Sequence, residues 1–326
     1  MSSSKSLEHT ITAKVITADD IAAIVASHLE NLASELPGDV LAALQQAHQA
    51  ESNQAAKNTL DLLIKNADLA AQTAVPLCQD TGTVWVYIEI GARASVQLSF
   101  LQDRLNRVVA DSFVKQHLRA STVRDALTDR SNPGTNLPAF IDCVYLPVTE
   151  SGNGDDSTAS DSSADYSVRV STMLKGGGSD NSSIVTMLPP AADLQQAGGQ
   201  TEAAITQLLL NLVAEKGSNA CPPLIVGIGV GATFDKVASL SKRALLRPLD
   251  QSSANPLSAD LERRLLGKLN ASNIGPAGLG GDTTALAVHI ETAASHIASL
   301  PVAINLGCHS LRRKTTAITS AFPTDF

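Results

Sequence analysis

The stretch Cys78-Gln79-Asp80-Thr81-Gly82 separates two kinds of sequence pattern. Before it, segments rich in Ala and Leu repeat at helical spacing; after it, the apolar run 84–90 begins an alternation of strand-like and helical segments. The stretch places a thiol, an amide, a carboxylate and a hydroxyl side by side at this junction. A thiol beside a carboxylate suits a metal ligand next to an acid–base group.

The alternation predicts a mixed α/β (α+β) protein in which an N-terminal helical layer packs on an α/β core. We expect a flexible arm over residues 1–16 and a single domain over 17–326, helical to about 75 and α/β from about 76. The Ser-, Asp- and Gly-rich segment of about 150–165 is typical of a solvated loop insertion.

Strands are predicted at 84–90, 140–146, 166–174, 183–188, 223–230, 284–291 and 300–306. Thr17-Ala18-Asp19-Asp20 resembles a capping box and predicts that a helix begins there. Further helices are predicted at 40–49, 54–71, 103–118, 201–216, 235–246 and 258–270.

Composition excludes several classes of function. The chain of 326 residues has a formal charge of -8 and 3% aromatic residues, without the basic stripe or stacking aromatics of a nucleic-acid binder. No apolar run is long enough to cross a bilayer, and the first residues lack the apolar core of a signal peptide. We therefore expect a soluble, cytoplasmic protein with no nucleic-acid or membrane partner. Its 4 cysteines are too few for a disulfide scaffold.

Three of the cysteines lie at the ends of predicted elements. Cys78 follows a helix, Cys221 precedes a strand and Cys308 closes one, whereas Cys143 lies inside a strand and is expected to pack as a small hydrophobe. A [4Fe–4S] cluster with three thiolates leaves one iron open to act as a Lewis acid. Zinc with three protein ligands and a water is the competing occupant, and the wide spacing of the thiols decides neither way.

Two glycine-rich segments allow different interpretations. Lys175-Gly176-Gly177-Gly178-Ser179-Asp180-Asn181 is either an anion-binding loop or a plain turn. Gly227-Ile228-Gly229-Val230-Gly231-Ala232 resembles a dinucleotide fingerprint, with Asp250 about twenty residues further on. It supports a rival function, a nicotinamide-dependent oxidoreductase. A non-catalytic scaffold or regulatory subunit is the third possibility.

Two further side chains are candidates for proton transfer and for binding an anionic group. His296 comes just before the strand that ends at Cys308, so we expect it near the thiols, where its pKa range suits proton transfer. Arg119 ends a helical pattern and either holds a substrate carboxylate with two hydrogen bonds or is a solvated surface arginine.

Taken together, these motifs resemble the α subunit, or N-terminal domain, of the class I (iron–sulfur) fumarate hydratase and L-tartrate dehydratase family. The resemblance runs from about residue 15 to the end. It rests on 78–82, 118–121, 175–181, 221–226, 242–247, 275–281, 296–303 and 308–309.

The resemblance implies a cluster-binding core that holds a [4Fe–4S] cluster with one iron not ligated by cysteine. The implied cluster ligands are Cys78, Cys221 and Cys308. The implied substrate contacts are Gln79, Asp80, Arg119, Gly177 and His296, with Asp80 and His296 acting on the hydroxyl that leaves or adds. In this family the carbon-proton base lies in the other domain, so we expect a separate β subunit in an α2β2 assembly. We prefer fumarate hydration to L-malate over L-tartrate dehydration, because 175–181 resembles fumarases more.

Overall fold

The computed structural model describes residues 12–13, 15–148, 164–190 and 197–320. The chain forms two compact units. The first comprises Met1–Glu30, Val84–Thr172 and Lys314–Phe326, and the second comprises Asn31–Thr83 and Met173–Arg313. Most of the predicted arm and of the predicted insertion at 150–165 lies outside the described residues, and the single domain over 17–326 stays a prediction.

Helices and strands alternate along the chain, which confirms the mixed α/β class. The helices are α1 (Ala18–Leu32), α2 (Gly38–Ala50), α3 (Gln54–Thr73), α4 (Leu101–Lys115), α5 (Gly177–Asn181), α6 (Ala197–Lys216), α7 (Val237–Ala244) and α8 (Pro256–Asn270). The strands are β1 (Thr12–Ala13), β2 (Ile16–Thr17), β3 (Thr83–Ile90), β4 (Val96–Gln97), β5 (Phe140–Tyr145), β6 (Ser167–Lys175), β7 (Ile184–Leu188), β8 (Leu224–Ala232), β9 (Ala285–Ser295), β10 (Leu300–Gly307) and β11 (Arg312–Ser320). Among the described residues, every helix is too short or too polar to cross a bilayer.

The first unit is built on a sheet with the order β1-β11-β6-β3-β5. The predicted capping box at the start of α1 is confirmed. The backbone N–H of Thr17 donates to the Asp20 carboxylate at 2.7 Å, and the N–H of Asp20 donates back to Thr17 Oγ1 at 3.2 Å. These reciprocal bonds satisfy donors that a helix N-terminus otherwise leaves unpaired, so α1 begins where the sequence predicts.

The second unit is built on a sheet with the order β7-β10-β8-β9. β10 is antiparallel to both β7 and β8, while β8 and β9 are parallel. On one face of β8, Leu224, Val226 and Ile228 pack in a core that includes Leu209 of α6 and Leu265 of α8. Because side chains alternate along a strand, the intervening residues face the other side of the sheet.

That other face explains the glycines that resemble a dinucleotide fingerprint. Gly227 and Gly229 lie inside β8 rather than in a turn between a strand and a helix. A Cβ atom at Gly229 would lie 2.6 Å from the Val237 carbonyl oxygen, and one at Gly227 would overlap the Ser241 carbonyl oxygen. The glycines allow α7 to approach the strand closely. The interpretation as a nucleotide-binding turn is therefore wrong, because a pyrophosphate loop must follow its strand.

Candidate active site

Two of the predicted thiols lie at one end of the second sheet. Gly307, at the end of β10, is opposite Ile225, at the start of β8. Cys308 directly follows β10 and Cys221 lies three residues before β8, so the antiparallel pairing brings both to the same end. α5 immediately precedes β7, which is also antiparallel to β10, and therefore belongs to this end as well.

The third thiol lies on a loop with a fixed backbone. α3 ends at Thr73, and the residue that follows it, Ala74, has φ of 53°. Leu77 then donates its N–H to the Ala33 carbonyl oxygen at 2.9 Å and accepts a bond from Asn66 Nδ2 at 3.0 Å. Its buried side chain packs against α3. Cys78 follows directly, so these contacts determine where its thiol begins.

Asp80 connects the Cys78 loop to the glycine-rich segment. One carboxylate oxygen accepts the N–H of Gly82 at 3.0 Å, and the other accepts the N–H of Gly177 at 2.8 Å. Gly82 has φ of 79°, and a Cβ atom there would lie 2.5 Å from the carbonyl carbon of Lys175. The two segments thus touch through backbone atoms, and the Asp80 carboxylate is held between them.

His309 connects the other two thiol segments. The Cys221 carbonyl oxygen lies 3.0 Å from His309 Nδ1 and 3.3 Å from its backbone N. Both contacts require the nitrogen to donate, so Nδ1 carries the proton in this arrangement. Burial is the largest cause that lowers the pKa of His309, and the charge of Arg312 lowers it further. The sequence signal for this residue was its position directly after Cys308.

The thiols interact electrostatically. All 4 cysteines are free. Desolvation raises the pKa of Cys221, and so do the charges of Cys308 and Cys78. Yet within the described part of the chain, no three His, Cys, Asp or Glu side chains are close enough to hold a single metal ion. The sulfurs are near enough to influence one another's ionisation without forming a compact single-ion site.

Two buried cations surround this region. The Lys175 ammonium is fully buried and donates to Ser179 Oγ at 2.8 Å and to the Leu306 carbonyl oxygen at 2.6 Å. Burial lowers the pKa of Lys175 to about 8, although the negative charges of Asp180 and Cys308 oppose the shift. Arg312 Nη2 donates to the Asp80 carbonyl oxygen at 3.0 Å. Neither cation was among the residues assigned a role from the sequence.

The structure does not bring His296 to the thiols of its own chain. His296 lies in the turn before β10, and Cys308 follows the last residue of that strand. The 8 residues of β10 span about 26 Å at the usual rise per residue. The expectation that His296 lies near the thiols is thus wrong within one chain, because closeness in sequence across a strand means separation in space.

The remaining predicted residues occupy exposed positions. Gln79 accepts a weak bond from the Cys78 thiol at 3.5 Å, beside the site. Arg119 lies in the first unit, beyond the end of α4, and is exposed. Cys143 was expected to pack in the core, but it is exposed on β5, which is an edge strand of its sheet. An edge strand has a neighbour on one side only, so less of it is covered.

Most of the sequence of this chain matches known proteins. The family model described as fumarate hydratase (Fumerase) matches residues 22–317. The chain belongs to the fumarate hydratase (Fumerase) family. It is therefore a member of a hydro-lyase family that also includes tartrate dehydratase α subunits.

Relatives of this family member cover nearly its whole length. It is 36% identical over 296 residues to "Putative L(+)-tartrate dehydratase subunit alpha" of Methanocaldococcus jannaschii, covering 90% of this chain and 95% of the relative. It is 30% identical over 295 residues to the L(+)-tartrate dehydratase subunit alpha of Escherichia coli K12, covering 90% of this chain and 89% of the relative. A Shigella sonnei protein of the same name matches to the same extent.

Proposed function

We propose that this chain is the α subunit of a [4Fe–4S]-dependent hydro-lyase that removes water from a four-carbon hydroxy dicarboxylate. L(+)-tartrate is the first candidate substrate, and the malate–fumarate pair is the second. The observation that carries the proposal is geometric: Arg312, four residues after Cys308, bonds the Asp80 carbonyl oxygen in the Cys78 loop, and His309 bonds the Cys221 carbonyl oxygen, so three separate segments that each bear a free thiol are held together. A β subunit completes the site.

The donor set suits a cluster better than a single zinc ion. Three ligands of one tetrahedral zinc would each lie about 2.3 Å from it, and no such compact group exists among the described residues. In a cluster each thiolate binds a different iron, which tolerates wider separation. Cys78, Cys221 and Cys308 would hold the cluster, whose open iron supplies Lewis acidity toward a substrate oxygen.

The residues around the thiols would bind and orient the substrate. Asp80 has a fixed orientation because each carboxylate oxygen accepts one backbone N–H, from Gly82 and Gly177. Such a carboxylate can accept a hydrogen bond from the hydroxyl group and exchange a proton with it. Gln79, exposed beside Cys78, offers an amide to the substrate, and Arg119 can pair with a carboxylate. The carbon-bound proton is removed by a base of the β subunit.

His296 would act on the site of a second α chain. Within its own chain it lies at the opposite end of β10 from Cys308. An α2β2 assembly with two-fold symmetry can bring the His296 turn of one α chain to the thiols of the other. In that arrangement neither α chain has a complete site alone.

Mixing two defective α chains tests this arrangement. Asp80→Asn and His296→Asn variants, each inactive with β, are refolded together in equal amounts. If His296 serves the partner chain, half of the assemblies are mixed and each contains one intact site, so about one quarter of wild-type activity returns. Mixtures that stay inactive would show that His296 and Asp80 serve the same chain.

The names of the relatives favour tartrate over the fumarate that we preferred from residues 175–181. In the dehydration direction, both tartrate and malate lose a hydroxyl from one carbon and a proton from the next. Water removal from tartrate leaves the enol of oxaloacetate, whereas removal from malate leaves fumarate. Anaerobic assays of the α–β pair on L(+)-tartrate and L-malate distinguish the two. We expect a higher kcat/KM on L(+)-tartrate, and a pair active on L-malate alone would contradict this choice of substrate.

Iron and sulfide analysis after anaerobic purification tests the cofactor. We expect four irons and four sulfides for each α chain, and loss of the cluster on changing Cys78, Cys221 or Cys308 to Ala. Cys143→Ala is the matched control, because Cys143 is a free thiol on β5 and is not one of the three proposed cluster ligands. A wild-type complex without iron, or with zinc instead, would overturn the proposal.

A further inference from the structure

Arg312 is a buried arginine with unused hydrogen-bond donors. Only 2% of its surface is exposed. Nη2 donates to the Asp80 carbonyl oxygen at 3.0 Å, but Nε and Nη1 are buried without a partner among the described residues. Buried polar groups in proteins are normally hydrogen-bonded, and a buried charge without a counter-charge is strongly unfavourable. The arrangement is therefore incomplete without a further acceptor.

The neighbouring arginine shows what a completed arrangement looks like in this protein. Arg313 is also buried, and its Nη2 lies 2.6 Å from the Asp39 carboxylate. Its Nε donates to the Leu246 carbonyl oxygen at 3.2 Å, and Nη1 also reaches Asp39. Arg313 thus has a carboxylate partner, whereas no carboxylate of the described residues forms an ion pair with Arg312.

Arg312 lies between two of the thiol-bearing segments. Its contact with the Asp80 carbonyl ties it to the loop of Cys78, and it is four residues after Cys308. His309, three residues before Arg312, connects the Cys308 segment to the Cys221 carbonyl oxygen at 3.0 Å. A second buried cation, Lys175, contacts the strand end before Cys308. The Lys175 ammonium lies 3.6 Å from the Asp180 carboxylate, so of these two buried cations only Arg312 lacks a carboxylate partner among the described residues.

We propose that Arg312 is a positioning residue whose Nε and Nη1 donate to an anionic acceptor bound among the three thiols. The acceptor is a sulfide or thiolate of the cluster, or a carboxylate of the dicarboxylate substrate. A planar guanidinium with two adjacent donors suits either acceptor. The inference rests on the proposed function, since it requires that an anionic group occupies this region.

The test compares Arg312→Met and Arg312→Lys with Arg313→Met in the anaerobic α–β complex, reconstituted with ferrous iron and sulfide. Three quantities are measured: the rate of cluster release to a chelator, the midpoint potential without substrate, and the dissociation constants of L(+)-tartrate and L-malate. Substrate binding is followed by the change in the electron paramagnetic resonance signal of the reduced cluster. Arg313→Met controls for loss of a buried arginine whose donors are already paired.

If the acceptor belongs to the cluster, Arg312→Met releases it about tenfold faster. Removing this positive charge should also lower the equilibrium constant for one-electron reduction of the cluster about tenfold. This corresponds to a fall of about 59 mV in the midpoint potential. Arg312→Lys should restore the midpoint potential more fully than the cluster release rate, because Lys keeps the positive charge but lacks the two adjacent N–H donors of the guanidinium. If the acceptor is the substrate carboxylate, the cluster is unchanged and the dissociation constants rise about tenfold.

Unchanged values in the Arg312 variants, or equal changes in Arg313→Met, would overturn the inference in favour of a purely structural role. If Arg312→Met does not assemble with the β subunit, the test rests on Arg312→Lys. A cluster release rate, a midpoint potential and dissociation constants equal to those of the wild type would then contradict the inference. Failure of both to assemble counts against it too. A wild-type complex without iron and sulfide would instead refute the proposed function, so the two failures are distinguishable.

Discussion

Changing Gly82 to Ala tests the contact that joins the Cys78 loop to the glycine-rich segment. Gly82 has φ of 79°, a conformation that costs a residue with a Cβ atom about 1 kcal/mol. The added methyl group would also lie 2.5 Å from the Lys175 carbonyl carbon and 2.9 Å from the Gly176 nitrogen. These are backbone atoms, so relief requires one segment to move. Overpacking of this kind costs about 2 kcal/mol more.

Gly280→Ala is the matched control, because Gly280 has φ of 87° in the same unit but nothing lies within 4 Å of the position that an added Cβ atom would take. Chemical denaturation of the apo chain should show a loss of about 3 kcal/mol for Gly82→Ala and about 1 kcal/mol for Gly280→Ala. Gly82→Ala should also weaken cluster retention, because Asp80 and Cys78 share its loop. Equal losses in the two variants would show that the segments do not touch.

Three further predictions concern stability. Burial lowers the pKa of both His28 and His289 from 6.5 to about 4, so the unfolded chain binds more protons between these values and stability falls as pH falls through this window. Each histidine accounts for up to about 3 kcal/mol, and Asn at both positions should flatten the profile of unfolding free energy between pH 7 and 4.5. Leu265→Ala, in the core of the second unit, should cost about 3 kcal/mol in denaturant unfolding, and a loss under 1 kcal/mol would contradict its packing. Asn53→Ala removes the side-chain cap that accepts from two N–H groups at the start of α3, which should lower the free energy of unfolding by about 1 kcal/mol, with Asn53→Ser near wild type.

Local features of the fold followed from the sequence. The reciprocal bonds of Thr17 and Asp20 confirm the capping box, since such a box depends on residues three apart. The apolar runs that predicted strands correspond to β3, β5, β6, β7, β8, β9 and β10, with ends shifted by a few residues. β11 was missed because Arg312–Ser320 begins with three consecutive charged residues and contains a single large apolar residue, Ile318.

Features that depend on strand pairing did not follow from the sequence. The glycines of β8 resemble a phosphate loop in their spacing, and only the position of α7 reveals that they allow close packing. His296 and Cys308 are close in sequence, but β10 lies between them and places them at its opposite ends. Lys175 and Arg312 gave no signal as buried cations, because long charged side chains are usually exposed. Whether such a side chain is buried depends on the residues that pack around it in the folded chain.

The frame of the candidate site does not depend on the three sulfur atoms. Asp80 connects the Cys78 loop to Gly177, His309 connects Cys221 to the Cys308 segment, and Arg312 returns to the Asp80 carbonyl. All three links end on backbone groups, so they can form before any cofactor arrives. The thiols make only weak contacts, at 3.5 Å from Cys78 to Gln79 and at 3.2 Å from Cys308 to Ser310. Replacing a thiol by Ala should therefore remove the cofactor while leaving the apo fold intact, which separates ligand binding from folding.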